Sequence, residues 1–163
     1  MQYSGIQVAN ELLELDPSLD HMKLQKLMYY ANGWWLALRG EPLISERPQV
    51  WRYGPVFRQI YSIFSRFGHY AIGGLVKANP FANEPERVPA GIERENVRSF
   101  LQWILNEHGY KSAIALSDET HAVGTPWWDL AARYKFALPR NIDIPLENDR
   151  AYFLNQARAR GLA

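Results

Sequence analysis

The densest run of side chains that could do chemistry is Ser117-Asp118-Glu119-Thr120-His121. On a helix, Asp118 and His121 are three residues apart, so the carboxylate could orient the imidazole while a nearby hydroxyl acts as a nucleophile. Ser117 and Asp118, however, point in different directions on a helix surface, and no oxyanion-binding motif accompanies them. We therefore predict that the chain is not an enzyme, and we keep catalysis by Asp118 and His121 as the minor alternative.

Metal and phosphate sites leave plainer spacings, and these spacings are missing. The four histidines never occur four residues apart, and there is no His-Glu-x-x-His or Asp-rich calcium loop. Gly73-Gly74 lacks the other residues of a phosphate-binding loop. We predict neither a metal nor another cofactor.

Cysteine is absent from all 163 residues, which excludes disulfides and thiolate chemistry and is compatible with a reducing compartment. The first residues are acidic where a signal peptide is basic, and no apolar run is long enough to span a membrane. We therefore expect a cytoplasmic protein without a membrane partner.

Residues 21–70 combine a basic balance with half of the aromatic side chains. This part holds seven lysines and arginines against two glutamates, a formal charge of +5, although the whole chain carries only +1. Basic and aromatic residues together are also typical of proteins that bind single-stranded nucleic acid. Helical spacing assigns Trp35, Phe64 and Phe67 to the core, and the near-neutral total disfavours phosphate binding. A nucleic-acid-binding regulatory module remains an alternative.

Apolar spacing predicts helices through most of the chain. Ser4 and Gln7 form a capping-box pattern before the first helix, and Asp20 precedes a second helix that ends near Gly40. Further helices are predicted to start at Gly54-Pro55, at about Glu93, over Ala113–Glu119, at Pro126 after the cap Thr125, and over about Leu146–Arg158. The second helix has one apolar stripe, with its basic residues and Tyr30 opposite.

Two segments break the helical pattern. Residues 42–53 alternate with a period of two and predict a short β-hairpin with its turn at Glu46-Arg47. Residues 68–91 are rich in Gly and Pro and predict a long connection, with a short extended piece at Leu75-Val76. The predicted fold is mainly α: a compact single domain over 1–163, with about six helices and a hairpin between the second and third.

The aromatics outside the helical stripes are Tyr29, Tyr30, Trp34, Trp51 and Tyr53. One interpretation is that they cover the edge of the core with a polar tip in water. The other is that they contact a partner, because Trp, Tyr and Arg dominate the hot spots of protein interfaces.

The order of three motifs resembles a known family. These motifs are Lys23-Leu24-Gln25-Lys26-Leu27-Met28 with Tyr30-Ala31, then Trp51-Arg52-Tyr53-Gly54-Pro55-Val56 with Ile60-Tyr61, and then Ser117-Asp118-x-Thr120-His121 with Thr125-Pro126-Trp127. Together they are similar to the Panacea domain of SocA-like antitoxins, also called phage-associated GepA-type proteins. The resemblance implies a mainly helical antitoxin that binds and neutralises a co-encoded protein toxin without chemistry of its own.

The resemblance and the leftover aromatics give the predicted site. We assign partner binding to eight residues: Lys23, Gln25, Lys26, Tyr30, Trp51, Arg52, Tyr53 and His121. Gly54, Pro55, Pro126 and Trp127 are assigned to the structural part of the motif. The predicted partner is a cognate toxin, and the alternative is an adaptor that delivers its partner to a protease.

Overall fold

The computed structural model describes residues 1–163, and its seven α-helices and one two-stranded sheet confirm the mainly α fold. The helices, in chain order, are α1 Gly5–Leu15, α2 His21–Arg39, α3 Arg58–Phe64, α4 Ile92–His108, α5 Ala113–Thr120, α6 Pro126–Arg133 and α7 Leu146–Ala159. Strands β1 (Gln49–Trp51) and β2 (Gly54–Val56) lie between α2 and α3. None of the helices combines the length and the apolar character needed to cross a membrane.

Four of the predicted helix ends are confirmed by their capping contacts. Ser4 and Gln7 form the capping box of α1, and the Asp20 side chain accepts from the Lys23 amide at the start of α2. Gly40 ends α2 at φ +82, a left-handed conformation that glycine adopts without a steric cost. Thr125 caps α6 with Pro126 in its first turn.

Helix α2 is the central helix of the fold. It packs against α1, α3, α4, α5 and β2, and most extensively against α7. Every residue from Leu24 to Leu36 is buried, so the expectation of one apolar stripe and one solvent face is wrong for this helix. A helix surrounded on all sides has no face left for water.

Gly33 allows α2 and α7 to approach closely. A Cβ at this position would overlap the ring of Phe153, which packs edge-on against Tyr29, Tyr30 and Trp34.

We expect Gly33→Ala to destabilise the protein by about 2 kcal/mol, because overpacking a rigid aromatic core costs more than the helix propensity of alanine returns. Chemical denaturation measures this loss. Phe153→Leu supplies room, so the double variant should lose clearly less stability than the two single losses added together. Additive losses would contradict the proposed overlap.

The hairpin is present, but its pairing differs from the prediction. β1 pairs with β2 in antiparallel register, Val50 opposite Pro55, around a turn at Arg52-Tyr53 instead of Glu46-Arg47. Gly54-Pro55 therefore forms a strand, and the prediction that it starts a helix is wrong. The segment before β1 does not pair with the hairpin. Its Ile44 forms a β-bridge with Tyr3, and the Ile44 amide donates to Asn32 Oδ1 at 2.9 Å.

The long connection over 68–91 is confirmed as a segment without helix or strand, and Leu75-Val76 forms no paired strand. It is attached to α1 by buried polar contacts. The Asn10 side chain accepts from the Val76 amide at 2.9 Å and donates to the carbonyls of Val76 and Glu86. Glu11, fully buried on the same helix, accepts from Arg87 and from the Val88 amide. Buried polar side chains of α1 therefore fix the backbone of the long connection.

Candidate functional site

The backbone of the hairpin is held from the α2 side by two polar residues of the first motif. Gln25 pairs in both directions with the backbone of Phe57: its Nε2 donates to the carbonyl and its Oε1 accepts from the amide, each at 2.9 Å. Lys26 Nζ donates to the Pro55 carbonyl at 3.0 Å. Both side chains are buried, so they replace the water that these backbone groups would otherwise bind.

Residues of the third motif hold the hairpin from the other side. Ser117 Oγ donates to the Tyr53 carbonyl at 2.6 Å, and Trp127 Nε1 donates to the Trp51 carbonyl at 2.7 Å. The His121 ring packs edge-on against Trp127, and its Nδ1 contacts the Ser117 carbonyl. Residues of the first and the third motif therefore contact the backbone of the same hairpin.

Gly54 fits this crowded position. Its φ is +118, and a Cβ there would lie 2.9 Å from both Lys26 Nζ and Thr120 Oγ1. The residue lies between α2 and α5, so the structural role predicted for Gly54 has a geometric basis. Pro55, buried in β2, contributes its carbonyl to Lys26.

The same contacts show that the catalytic alternative is not assembled. Ser117 Oγ is turned to a backbone carbonyl of the hairpin, and His121 Nδ1 faces the Ser117 carbonyl instead of a hydroxyl. Asp118 is exposed and forms no hydrogen bond with His121. No three His, Cys, Asp or Glu side chains are grouped so that they could hold a metal.

The exposure assumed for part of the predicted partner surface is wrong. Lys26 is 2% exposed and Tyr30 is 9% exposed, and Gln25 and Tyr29 are also buried. The reason is the central place of α2, whose polar side is covered by the hairpin, α5 and α7. Partner binding by these residues stays a prediction, but their side chains contact the rest of the fold.

Tyr30 belongs to a buried polar cluster that sequence reasoning missed. Its hydroxyl donates to Glu119 Oε2 at 3.2 Å, and its ring stacks on His108 at 4.0 Å. Trp34 Nε1 donates to His108 Nε2 at 3.1 Å. Burial, helped by the nearby charges of Lys111 and Arg160, lowers the pKa of His108 to about 4, so the ring is neutral at pH 7. Neutral Nε2 can therefore accept from the indole.

The turn of the hairpin is exposed to solvent. Arg52 is exposed and Tyr53 is 59% exposed, with the guanidinium of Arg52 5.3 Å from the Tyr53 ring. Trp51 is half-buried and packs on Tyr61 of α3 at 4.9 Å, and Met22 at the start of α2 is also partly exposed. We call Met22, Trp51, Arg52, Tyr53 and Tyr61 the hairpin surface.

Two cavities flank the hairpin surface and share Trp51 and Arg52. One, of about 280 Å³, lies between α2, the hairpin and α3, and Lys26 is among its lining residues. We call it the Lys26 cavity. The other, of about 500 Å³, is lined by Arg58 and Arg140 as well as the shared residues. Neither cavity has an Asp or Glu in its lining, so both favour an acidic ligand over a basic one.

Comparison with known proteins adds the family. The family model described as "Antitoxin SocA-like, Panacea domain" matches residues 24–128, which include both groups of residues that hold the hairpin. This chain belongs to the SocA-like Panacea family.

Among curated proteins, "Antitoxin SocA" of Caulobacter vibrioides (strain NA1000 / CB15N) is 34% identical over 125 residues. The alignment covers 74% of this chain and 66% of the relative, just under two thirds of the relative's length. No solved structure gives a significant match. The resemblance stated from the motifs is thereby confirmed for the Panacea domain.

Proposed function

We propose that this Panacea-domain protein is an antitoxin that neutralises a protein toxin by binding it directly through the hairpin surface. Its family membership and its similarity to a protein named "Antitoxin SocA" support the antitoxin role. The observation that carries direct binding is the hairpin surface, where exposed Arg52 and Tyr53 are held by a backbone that four buried or half-buried side chains fix in place.

Preorganisation is the physical reason for this choice. A partner that binds a fixed turn does not have to order it, so less conformational entropy is lost on association. Tyr and Arg are enriched among the residues that dominate interface energies, and Trp51 and Tyr61 extend the same patch. A standard interface takes about 800 Å² from each partner, which is about a tenth of the 8498 Å² surface of this chain.

The first experiment expresses the product of the neighbouring gene with and without this protein. We expect arrest of growth by the neighbour alone, rescue by co-expression, and recovery of a complex of the two purified proteins. A neighbour that is harmless by itself removes the support for an antitoxin. Pulse-chase labelling of the toxin separates binding from delivery to a protease, because only delivery shortens the lifetime of the toxin.

The second experiment tests the hairpin surface. Arg52→Glu combined with Tyr53→Ala is expected to weaken toxin binding at least 100-fold, measured by titration calorimetry, because two hot-spot side chains are lost. Both side chains are exposed, so the unfolding temperature should change little. The matched control is Arg150→Glu with Tyr110→Ala, two exposed positions outside the surface. Equal affinity of the two double variants would contradict the proposed site.

A further inference from the structure

We propose that the Lys26 cavity binds an acidic side chain of the toxin, with the Lys26 ammonium as its buried counter-charge. This inference rests on the proposed function and names the chemistry that the same site recognises. The partner group is an Asp or Glu carboxylate carried on a segment that lies across the hairpin surface. Three observations support it: an incompletely bonded cation, an unpartnered nitrogen of a residue that lines the same cavity, and the size and polarity of the walls.

The first observation is the state of Lys26. An ammonium has three N–H donors, and here one of them donates to the Pro55 carbonyl. Lys26 forms no ion pair, although its side chain is 2% exposed. Burying a cation without an anionic partner is unfavourable, and a carboxylate that enters the cavity offsets part of this cost.

The second observation is His21. Its Nδ1 is buried without a hydrogen-bond partner, and the residue lines the same cavity as Lys26. Burial lowers the pKa of His21, so its ring is neutral at pH 7. Arg52 is the second cationic residue of the lining, exposed at the hairpin turn. A carboxylate has two oxygens with about four lone-pair sites, so it can accept from more than one of these donors.

The third observation is the size and the polarity of the cavity. Its other walls include Met22, Val56 and Tyr61, which suit the methylenes of a side chain. At about 280 Å³ it lies at the small end of ligand pockets, which usually measure about 300–1,000 Å³. This space fits one side chain. Nucleic acid is a poorer fit, because a phosphate backbone needs a row of cations and this chain has a net charge of only +1.

The test uses small blocked amino acids as probes. N-acetyl-glutamate N-methylamide and its glutamine counterpart differ only in the charged group, and dimethyl phosphate represents a nucleic-acid backbone. Each probe is titrated into the whole protein carrying ¹³C-labelled lysine, and binding is read from the Lys26 Cε resonance. We expect the glutamate probe to bind at least tenfold more tightly than the glutamine probe.

A second measurement needs no mutation. Burial lowers the pKa of Lys26 to about 8, and a bound carboxylate favours the charged ammonium. A pH titration of the Lys26 resonance should therefore give a higher pKa with the glutamate probe present. Lys26→Met should abolish probe binding, and the measurement on the unmodified protein keeps the test decisive if this variant does not fold.

The results separate this inference from the proposed function. If the toxin binds but the glutamate probe neither binds nor raises the Lys26 pKa, the cavity inference is wrong and the antitoxin proposal stands. If dimethyl phosphate binds more tightly than the glutamate probe, the cavity inference is also overturned. Replacing the toxin's acidic residues by their amides, one at a time, should identify one change that weakens the complex at least tenfold. If none of these replacements weakens the complex, the inference is overturned.

Discussion

Replacing Glu11 by alanine is expected to lower the free energy of unfolding by about 3 kcal/mol, because the arginines around it lose their only fully buried acidic partner. Glu11 is fully buried on α1 and accepts from Arg87 at 2.7 and 2.8 Å, with Arg94 and Arg98 within 4 Å. The variant also removes the acceptor of the Val88 amide, which lies 3.1 Å away. Urea denaturation at pH 7 measures the loss.

Glu14→Ala is the matched control for this prediction. Glu14 contacts two of the same arginines, but its side chain is 40% exposed, so water replaces it when it is removed. We expect a loss below about 1 kcal/mol for this variant. Hydrogen exchange adds a local measurement, in which Glu11→Ala but not Glu14→Ala should lower the protection of the Val88 amide. If the two variants lose the same free energy of unfolding, burial of Glu11 contributes nothing to stability.

The second large effect is the loss of the stabilisation that Asp149 contributes, as the pH rises from about 4 to about 7. Asp149 of α7 is 1% exposed, and its carboxylate accepts from the Tyr29 hydroxyl. Burial raises the pKa of Asp149 to about 7, against the opposing effect of that hydrogen bond. Within this pH range the folded protein keeps a proton that the unfolded chain releases, so stability is full at low pH and decreases through the range.

The size of this decrease follows from the shift. The change from 3.8 to about 7 corresponds to roughly 4 kcal/mol at most, since each pKa unit is worth about 1.4 kcal/mol. Other carboxylates titrate in the same range, so the measurement is the difference between the wild type and Asp149→Asn across pH 4 to 8. We expect the advantage of the wild type over the variant to shrink as the pH rises. A constant difference would contradict a buried, titrating Asp149.

Tyr29→Phe provides a further check on the same pair. Removing the hydroxyl removes the hydrogen bond that favours the charged carboxylate, so the pKa of Asp149 should rise further. The fall in stability should then continue to a higher pH than in the wild type. Nuclear magnetic resonance of the Asp149 carboxyl carbon measures this shift directly.

The helices could be predicted because their signals are local. The capping box at Ser4 and Gln7, the cap at Asp20 and the Thr125-Pro126 start each involve residues within one turn of each other. The hairpin was predicted in the correct interval with the wrong turn. Alternation marked residues 42–53 as extended, but pairing depends on distant groups, including the Ile142 carbonyl that accepts from Val50.

The candidate site was predicted only in part. Arg52 and Tyr53 lie at the surface as expected, whereas Gln25 and Lys26 face backbone groups about 30 residues further along the chain. A polar residue in an amphipathic pattern is normally assigned to water. Glu11, Asn32 and Asp149 are further polar side chains that the assembled fold buries.

The sequence by itself determined where most of the helices begin and end, that the fold is mainly α, and which family the motifs resemble, because these depend on spacing within short segments. Only the tertiary structure decided that α2 is central and that its polar side holds the hairpin instead of facing solvent. The physical reason is that burial belongs to the assembled fold: a lysine is solvated or enclosed according to what packs against its helix, and for Lys26 that is β2, more than 25 residues away in the chain.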